Sequence, residues 1–240
     1  MKTRFLSILL AAAAIVGMTS CNSNDDPTGS YEYICNDIVT YLGNADGKST
    51  FTFRKEGDSP LVTLTSPQML QQSQFKPDSR ILISYSPQSG KQYTSGPITL
   101  IAAMNVEGNG DPVKTATAES TSNWRSEEIN VASLFRSGEY LNVQFTGAVG
   151  ADVPVTNLYV DEATLESECP ELHIVFGPFN SVTQTTYVFY GSWNISSVWN
   201  LPTCKSIKVC YKNAGGAMGG SVTIVKENGG LIKPGQDVEA

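Results

Sequence analysis

The sequence predicts an all-β protein, and three observations predict it. Apolar and polar residues alternate over much of the chain, as at 80–85, where Ile81, Ile83 and Tyr85 fall on one face. Turn-forming pairs such as Asp46-Gly47 punctuate these runs at short intervals. The 3.6-residue apolar spacing of a helix is almost absent. Strands spaced this way argue for a sandwich or small barrel in each half, and the length beyond residue 30 suits two domains. No fixed-period repeat is visible, which disfavours a solenoid or propeller.

The elements follow in order. Residues 22–30 are polar and read as a tether. Residues 31–42 open the first half, Asp46-Gly47 makes a turn, and 49–55 returns from it. A short strand is predicted at 60–65 and an alternating one at 80–85. Residues 98–106 are continuously apolar, which predicts a strand covered on both faces. Residues 126–135 are predicted as a short helix, with Glu127 and Glu128 early, where the helix dipole favours them. The second half begins near Ser137-Gly138. At 140–145, Leu141, Val143 and Phe145 point inward. Further strands are predicted at 158–160, 172–176, 185–190, 207–211 and 222–225, the last two joined by the glycine-rich loop 215–220.

The first twenty-six residues carry a different signal. Lys2 and Arg4 precede an apolar stretch at 5–16, too short for the about 20 residues that a membrane-spanning helix needs. Cys21, preceded by Gly17, Met18, Thr19 and Ser20, resembles the bacterial lipobox, whose thiol is acylated before cleavage leaves it as the first residue. This predicts a signal peptide at 1–20 and a lipidated tether at 21–30, with Cys21 attaching the chain to the membrane. The segment 22–26, ending in Asp25 and Asp26, resembles the acidic tag that sends Bacteroidales lipoproteins to the outer face of the outer membrane. Loss of residues 1–20 removes Lys2 and Arg4 and no acidic residue, moving the net charge from −7 to −9. A chain this acidic gains nothing from a phosphate backbone, so nucleic acid is not an expected partner.

The chemical inventory is thin. Cys35, Cys169, Cys204 and Cys210 allow three full pairings. A direct Cys204–Cys210 bond is disfavoured, because six strand residues at about 3.3 Å each hold the pair near 20 Å apart. His173, the single histidine, sits opposite Leu172 and Ile174 on the less buried face of its strand, and reads as structural. No Gly-x-Ser-x-Gly elbow supports a hydrolase triad. Zinc ligands of the usual spacing are missing. The pairs Glu127/Glu128, Asp161/Glu162 and Glu166/Glu168 lie in polar surroundings and read as solvated charge rather than a glycosidase dyad. No catalytic residue, metal ligand or cofactor is therefore expected. Trp124, Trp193 and Trp199 are the residues singled out for contact with a sugar ring or a protein partner.

Residues 129–145, 171–176 and 205–211 resemble the NigD-like lipoprotein family of Bacteroidales, most of all in Gly138-Glu139-Tyr140-Leu141-Asn142-Val143-Gln144-Phe145. The resemblance implies an N-terminal OB-like barrel at 31–135 followed by an antiparallel β-sandwich at 136–240. It brings no established activity or site residues. The family takes its name from a bacteriocin-associated operon, where the protein was a suspected immunity or accessory factor. The expected function is a non-enzymatic cell-surface lipoprotein that binds an extracellular protein, peptide or glycan. The alternatives are a glycan-capture module of a polysaccharide uptake system and a pilus or adhesin accessory subunit. A hydrolase would require carboxylates converging in one cleft.

Overall fold

The first five strands close on themselves. In the computed structural model, which describes residues 34–117, 126–150, 155–177, 185–212 and 220–226, they are β1 (Cys35–Ala45), β2 (Lys48–Phe53), β3 (Val62–Ser66), β4 (Ser79–Pro87) and β5 (Gly96–Asn105). Their order is β1-β2-β3-β5-β4, with β4 returning to β1. Every pair is antiparallel except β3 with β5. This is the five-stranded barrel of an OB-like fold.

Closure falls on β1, which pairs residues 35–41 with β4 and residues 40–45 with β2. A bulge between Tyr41 and Gly43 bends the strand between its two partners, and Gly43 takes the required positive φ of 111°. The predicted Asp46-Gly47 turn is present, with both residues left-handed at φ 51° and 72°, as a type I′ hairpin requires. Period two then fills the barrel with Val39, Tyr41, Phe51, Leu64, Ile81, Ile83, Tyr85 and Ile98. Each such side chain contributes about 1.5–3 kcal/mol on full burial.

The remaining strands make two sheets. One has the order β13-β12-β10-β9-β6, from β6 (Lys114–Ala116), β9 (Val155–Asp161), β10 (Glu171–Gly177), β12 (Ser206–Tyr211) and β13 (Gly220–Val225). The other has the order β11-β8-β7, from β7 (Ile129–Ser137), β8 (Tyr140–Val149) and β11 (Thr185–Asn194). Their inner faces meet through Leu141, Val143 and Phe145 on one side and Leu158, Leu172, Ile174, Phe176, Ile207 and Val209 on the other. Phe145 stands edge-on to Phe176 and stacks on Phe189, both at 5.2 Å between ring centres. Each aromatic pair adds about 0.5–1.5 kcal/mol beyond its buried area.

Four expectations change here. The helix predicted at 126–135 is strand β7. A bulge between Val131 and Ser133 inserts Ala132, so the inward positions run 129, 131, 134, 136 and the strict period of two that marks a strand is broken. The boundary at 135 also moves, because β6 and β7 pair within the sandwich sheets and the barrel ends with β5 at Asn105. Continuous cover belongs to β4 rather than to 98–106. Ile101 and Met104 are about half exposed, at 51% and 48%, whereas the outer side of β4 meets the sandwich. The sandwich is antiparallel except at β6/β9 and β10/β12. Between the strands of each parallel pair the chain passes through the opposite sheet, and it returns in the original direction.

Barrel and sandwich are joined through buried polar contacts as well as apolar ones. Ile38, Leu82 and Val106 form a small cluster against Tyr190 of β11. Beside it lies Arg80, 1% exposed. Its guanidinium donates to Ser192 Oγ (3.1 Å), Thr40 Oγ1 (3.1 Å), Ile38 O (2.9 Å) and Asn142 Oδ1 (3.2 Å) and lies 4.3 Å from the Tyr140 ring. Burial lowers its pKa to about 10, which still leaves it charged at neutral pH.

Candidate functional site

Most sequence-selected residues fall away from any open site. Trp193 and Trp199 are 3% and 6% exposed, a correction to their selection as ligand contacts. Trp193 fills a slot whose walls are glycines: a Cβ on Gly108 or Gly191 would come within 2.1 or 2.4 Å of the indole. Trp199 ends the single helical turn Ser196–Trp199 and is covered by Arg136, 4.4 Å from its ring. Trp124, the acylation candidate Cys21 and the tag residues Asp25 and Asp26 lie outside the described residues, as do 215–219 of the glycine-rich loop.

Two members of the carboxylate pairs make local contacts. Asp161 caps a 3-10 turn by accepting from Ala163 N at 3.0 Å, and Glu168 pairs with exposed Lys205 at 2.5 Å. Among the described residues, Cys35, Cys169, Cys204 and Cys210 form no disulfide.

Among the described residues, one sheet edge is left open. The C-terminal half of β11 is continued by the segment after β5. Glu107 N donates to Tyr190 O (2.7 Å), Ser192 N to Glu107 O (2.9 Å), Gly110 N to Ser192 O (2.8 Å), Asn194 N to Asp111 O (2.9 Å) and Val113 N to Asn194 O (2.9 Å). By period two, the backbone groups of Val188 and Thr186 continue this outward row. No strand of the described residues pairs with them there. The segment 107–113 thus lies along half of this sheet edge, and among the described residues nothing pairs with the other half.

The open half borders an apolar cleft of about 310 Å³, lined by Met104 and Asn105 of β5, Glu107, Val149 of β8, and Tyr187, Val188, Phe189 and Tyr190 of β11. Met104, Tyr187 and Val188 are exposed hydrophobics at 48%, 51% and 43%, with Ile101 of β5 at 51%. Glu107 gives the wall a carboxyl group, and burial pushes its pKa above the usual range. Nothing in the sequence pointed here, because the cleft is made by two strands brought together across the barrel–sandwich junction.

A second group lies on the outer face of the five-stranded sheet. Glu171 and His173 of β10 neighbour Lys208 and Cys210 of β12. Glu171, His173 and Cys210 place one potential ligand atom each within 4.8 Å of one another. Burial holds the His173 pKa below its ordinary value.

The fold has solved counterparts. The chain is similar to a protein of unknown function, DUF1344, from Bacteroides vulgatus, with TM-score 0.62, 15% identity and coverage of 80% of this chain and 90% of that one. It is similar to a protein named as toxin-related from Parabacteroides distasonis, with TM-score 0.57, 16% identity and coverage of 81% and 94%. It is also similar to a NigD-like immunity protein from Bacteroides caccae, with TM-score 0.51, 11% identity and coverage of 80% and 92%. The NigD-like resemblance read from the sequence is therefore met at the level of fold. No family model matches the chain, and no curated protein is similar to it.

Proposed function

We infer that this is a non-enzymatic lipoprotein of the outer-membrane surface that holds an extended segment of another protein. It is anchored through acylated Cys21 and displayed under the direction of Asp25 and Asp26. The observation that carries the reading is the half-occupied edge of β11. At that edge the backbone of Val188 and Thr186 offers strand addition, and the adjoining cleft offers apolar pockets for alternate side chains. Backbone hydrogen bonds from the chain's own segment 107–113 to the other half of this edge support the reading.

A protein segment fits better than a glycan. Two of the three tryptophans are buried, and Tyr187 is the one strongly exposed aromatic ring among the cleft residues. An immunity or envelope-accessory role agrees with this mode of binding and with the name carried by the Bacteroides caccae protein. Strand exchange by a pilus or adhesin accessory would use the same edge.

Peptide-display selection on the full chain tests the reading. Selected peptides should protect the amides of Thr186 and Val188 from hydrogen exchange. They should lose binding in Val188→Pro, which removes one edge donor, while circular dichroism of that variant stays unchanged. Binders that leave both amides exchanging freely, or that bind Val188→Pro as well as the parent, would overturn it.

A further inference from the structure

The parallel pair β10/β12 sets two rows of side chains against the solvent. His173 stands opposite Cys210 and Glu171 opposite Lys208. Leu172, Ile174, Ile207 and Val209 take the inner face, so period two turns these four outward together. His173 Nε2 lies 3.9 Å from Glu171 Oε2, and the Cys210 sulfur completes the group within 4.8 Å. We propose that Glu171, His173 and Cys210 form a binding site for a thiophilic divalent cation of the Zn²⁺ class.

The donor set decides the class. One sulfur, one imidazole nitrogen and one carboxylate oxygen suit a borderline-soft tetrahedral ion, with bonds of about 2.3, 2.0 and 2.1 Å, and do not suit calcium or magnesium, which take oxygen. All three donors stand on adjacent paired strands, so the backbone already fixes their spacing and only side-chain rotation is needed to close on an ion. The side chains of His173 and Glu171 are 26% and 33% exposed, which leaves an entry path and a fourth position.

Cys169 precedes Glu171 by two residues. Lys208 opposes the ion, since its Nζ donates to Glu171 Oε1 at 2.9 Å. An ion bound here would staple β10 to β12.

The full chain, reduced and stripped with a chelator, is titrated with Co²⁺ and followed by absorption, and Zn²⁺ is then added. The expected result is one equivalent of Co²⁺ with a thiolate-to-cobalt charge-transfer band that Zn²⁺ abolishes. Cys210→Ser should remove most of the band, and His173→Gln should weaken binding by at least about a hundredfold. Lys208→Gln should tighten binding several-fold by relieving like-charge repulsion, an effect that a purely structural role would not produce. Absence of the band in the parent overturns the site. So does titration of Cys210→Ser and His173→Gln like the parent, which would trace the signal to other thiols.

Discussion

Arg136 lies with its guanidinium 4.4 Å from the ring of Trp199, and the same guanidinium grips the barrel. It donates to Asp58 Oδ1 at 3.0 Å, to Asp58 Oδ2 at 2.6 Å and to Gly138 O at 2.6 Å. The two backbones meet beside it, through Gly57 N to Arg136 O and Gly138 N to Gly57 O, both 2.7 Å. The connection between β2 and β3 is thereby locked onto the turn between β7 and β8.

The pair is asymmetric, and this sets the first prediction. The Arg136 side chain is 4% exposed and that of Asp58 is 79% exposed. The hydrogen bonds from Arg136 hold the Asp58 carboxyl below its ordinary range, but water screens that interaction. Asp58→Asn should therefore cost under about 1 kcal/mol. Arg136→Ala should cost about 2–4 kcal/mol, because it strips the cover from Trp199 and leaves Gly138 O without its donor. Urea midpoints for the two variants check the ordering, and equal losses would show that the ion pair outweighs the packing.

Arg80 gives a second ordering. The groups that accept from it are Ser192, Thr40, Ile38 O and Asn142, all of them neutral. A lysine there would keep the desolvated charge while losing the planar fork that reaches four acceptors. A methionine would leave acceptors unpaired but remove the buried charge. Arg80→Lys should therefore be destabilised more than Arg80→Met, with losses of about 3–5 and 1–3 kcal/mol. Denaturant unfolding of both variants is the measurement, and the reverse order would show that the acceptors, not the charge, dominate.

The third prediction concerns pH. Asp37 lies on the inward row of β1 and accepts from Tyr85 Oη at 2.9 Å. Burial raises its pKa from 3.8 to about 6, against the opposing pull of Tyr85 and Lys55. The folded state thus holds a proton that the unfolded chain releases. For this group stability is greatest below about pH 4 and falls as pH rises towards 6. Asp58 has the opposite sign and loses its contribution only at lower pH. Asp37→Asn should remove the decline and be more stable than the parent at pH 7, as urea midpoints between about pH 4 and 7 will show. A decline unchanged in Asp37→Asn would assign it to another group.

Local features of this fold were legible in the sequence, and relations between distant residues were not. The Asp46-Gly47 turn and the Ile81, Ile83, Tyr85 face follow from neighbouring residues alone. The inserted Ala132 disguised β7, because a bulge shifts the period without any compositional mark. Trp193 offered no sign that Gly108 and Gly191 would enclose it from two separate segments. Nothing beside Arg80 or Arg136 in the sequence marks them for burial, since the partners that bury them lie far along the chain. Glu171, His173 and Cys210 meet only because β10 and β12 run parallel, a pairing that depends on β11 crossing to the other sheet in between.

The location of the chain tests the anchoring half of the functional reading. From Cys21 to Ile34, the first described residue, an extended chain spans at most roughly 45 Å. An acylated Cys21 would therefore keep Ile34, just before the barrel begins, within that distance of the bilayer, on whichever face the lipid is inserted. If Asp25 and Asp26 direct display, a protease added to intact cells should remove the chain as completely as it does after lysis. Asp25→Ala with Asp26→Ala should then protect it in intact cells without releasing it from the membrane, and Cys21→Ala should release it. Protection of the parent in intact cells, with cleavage after lysis, would place the edge in the periplasm. The partner segment would then have to be an envelope protein on that side rather than one arriving from outside.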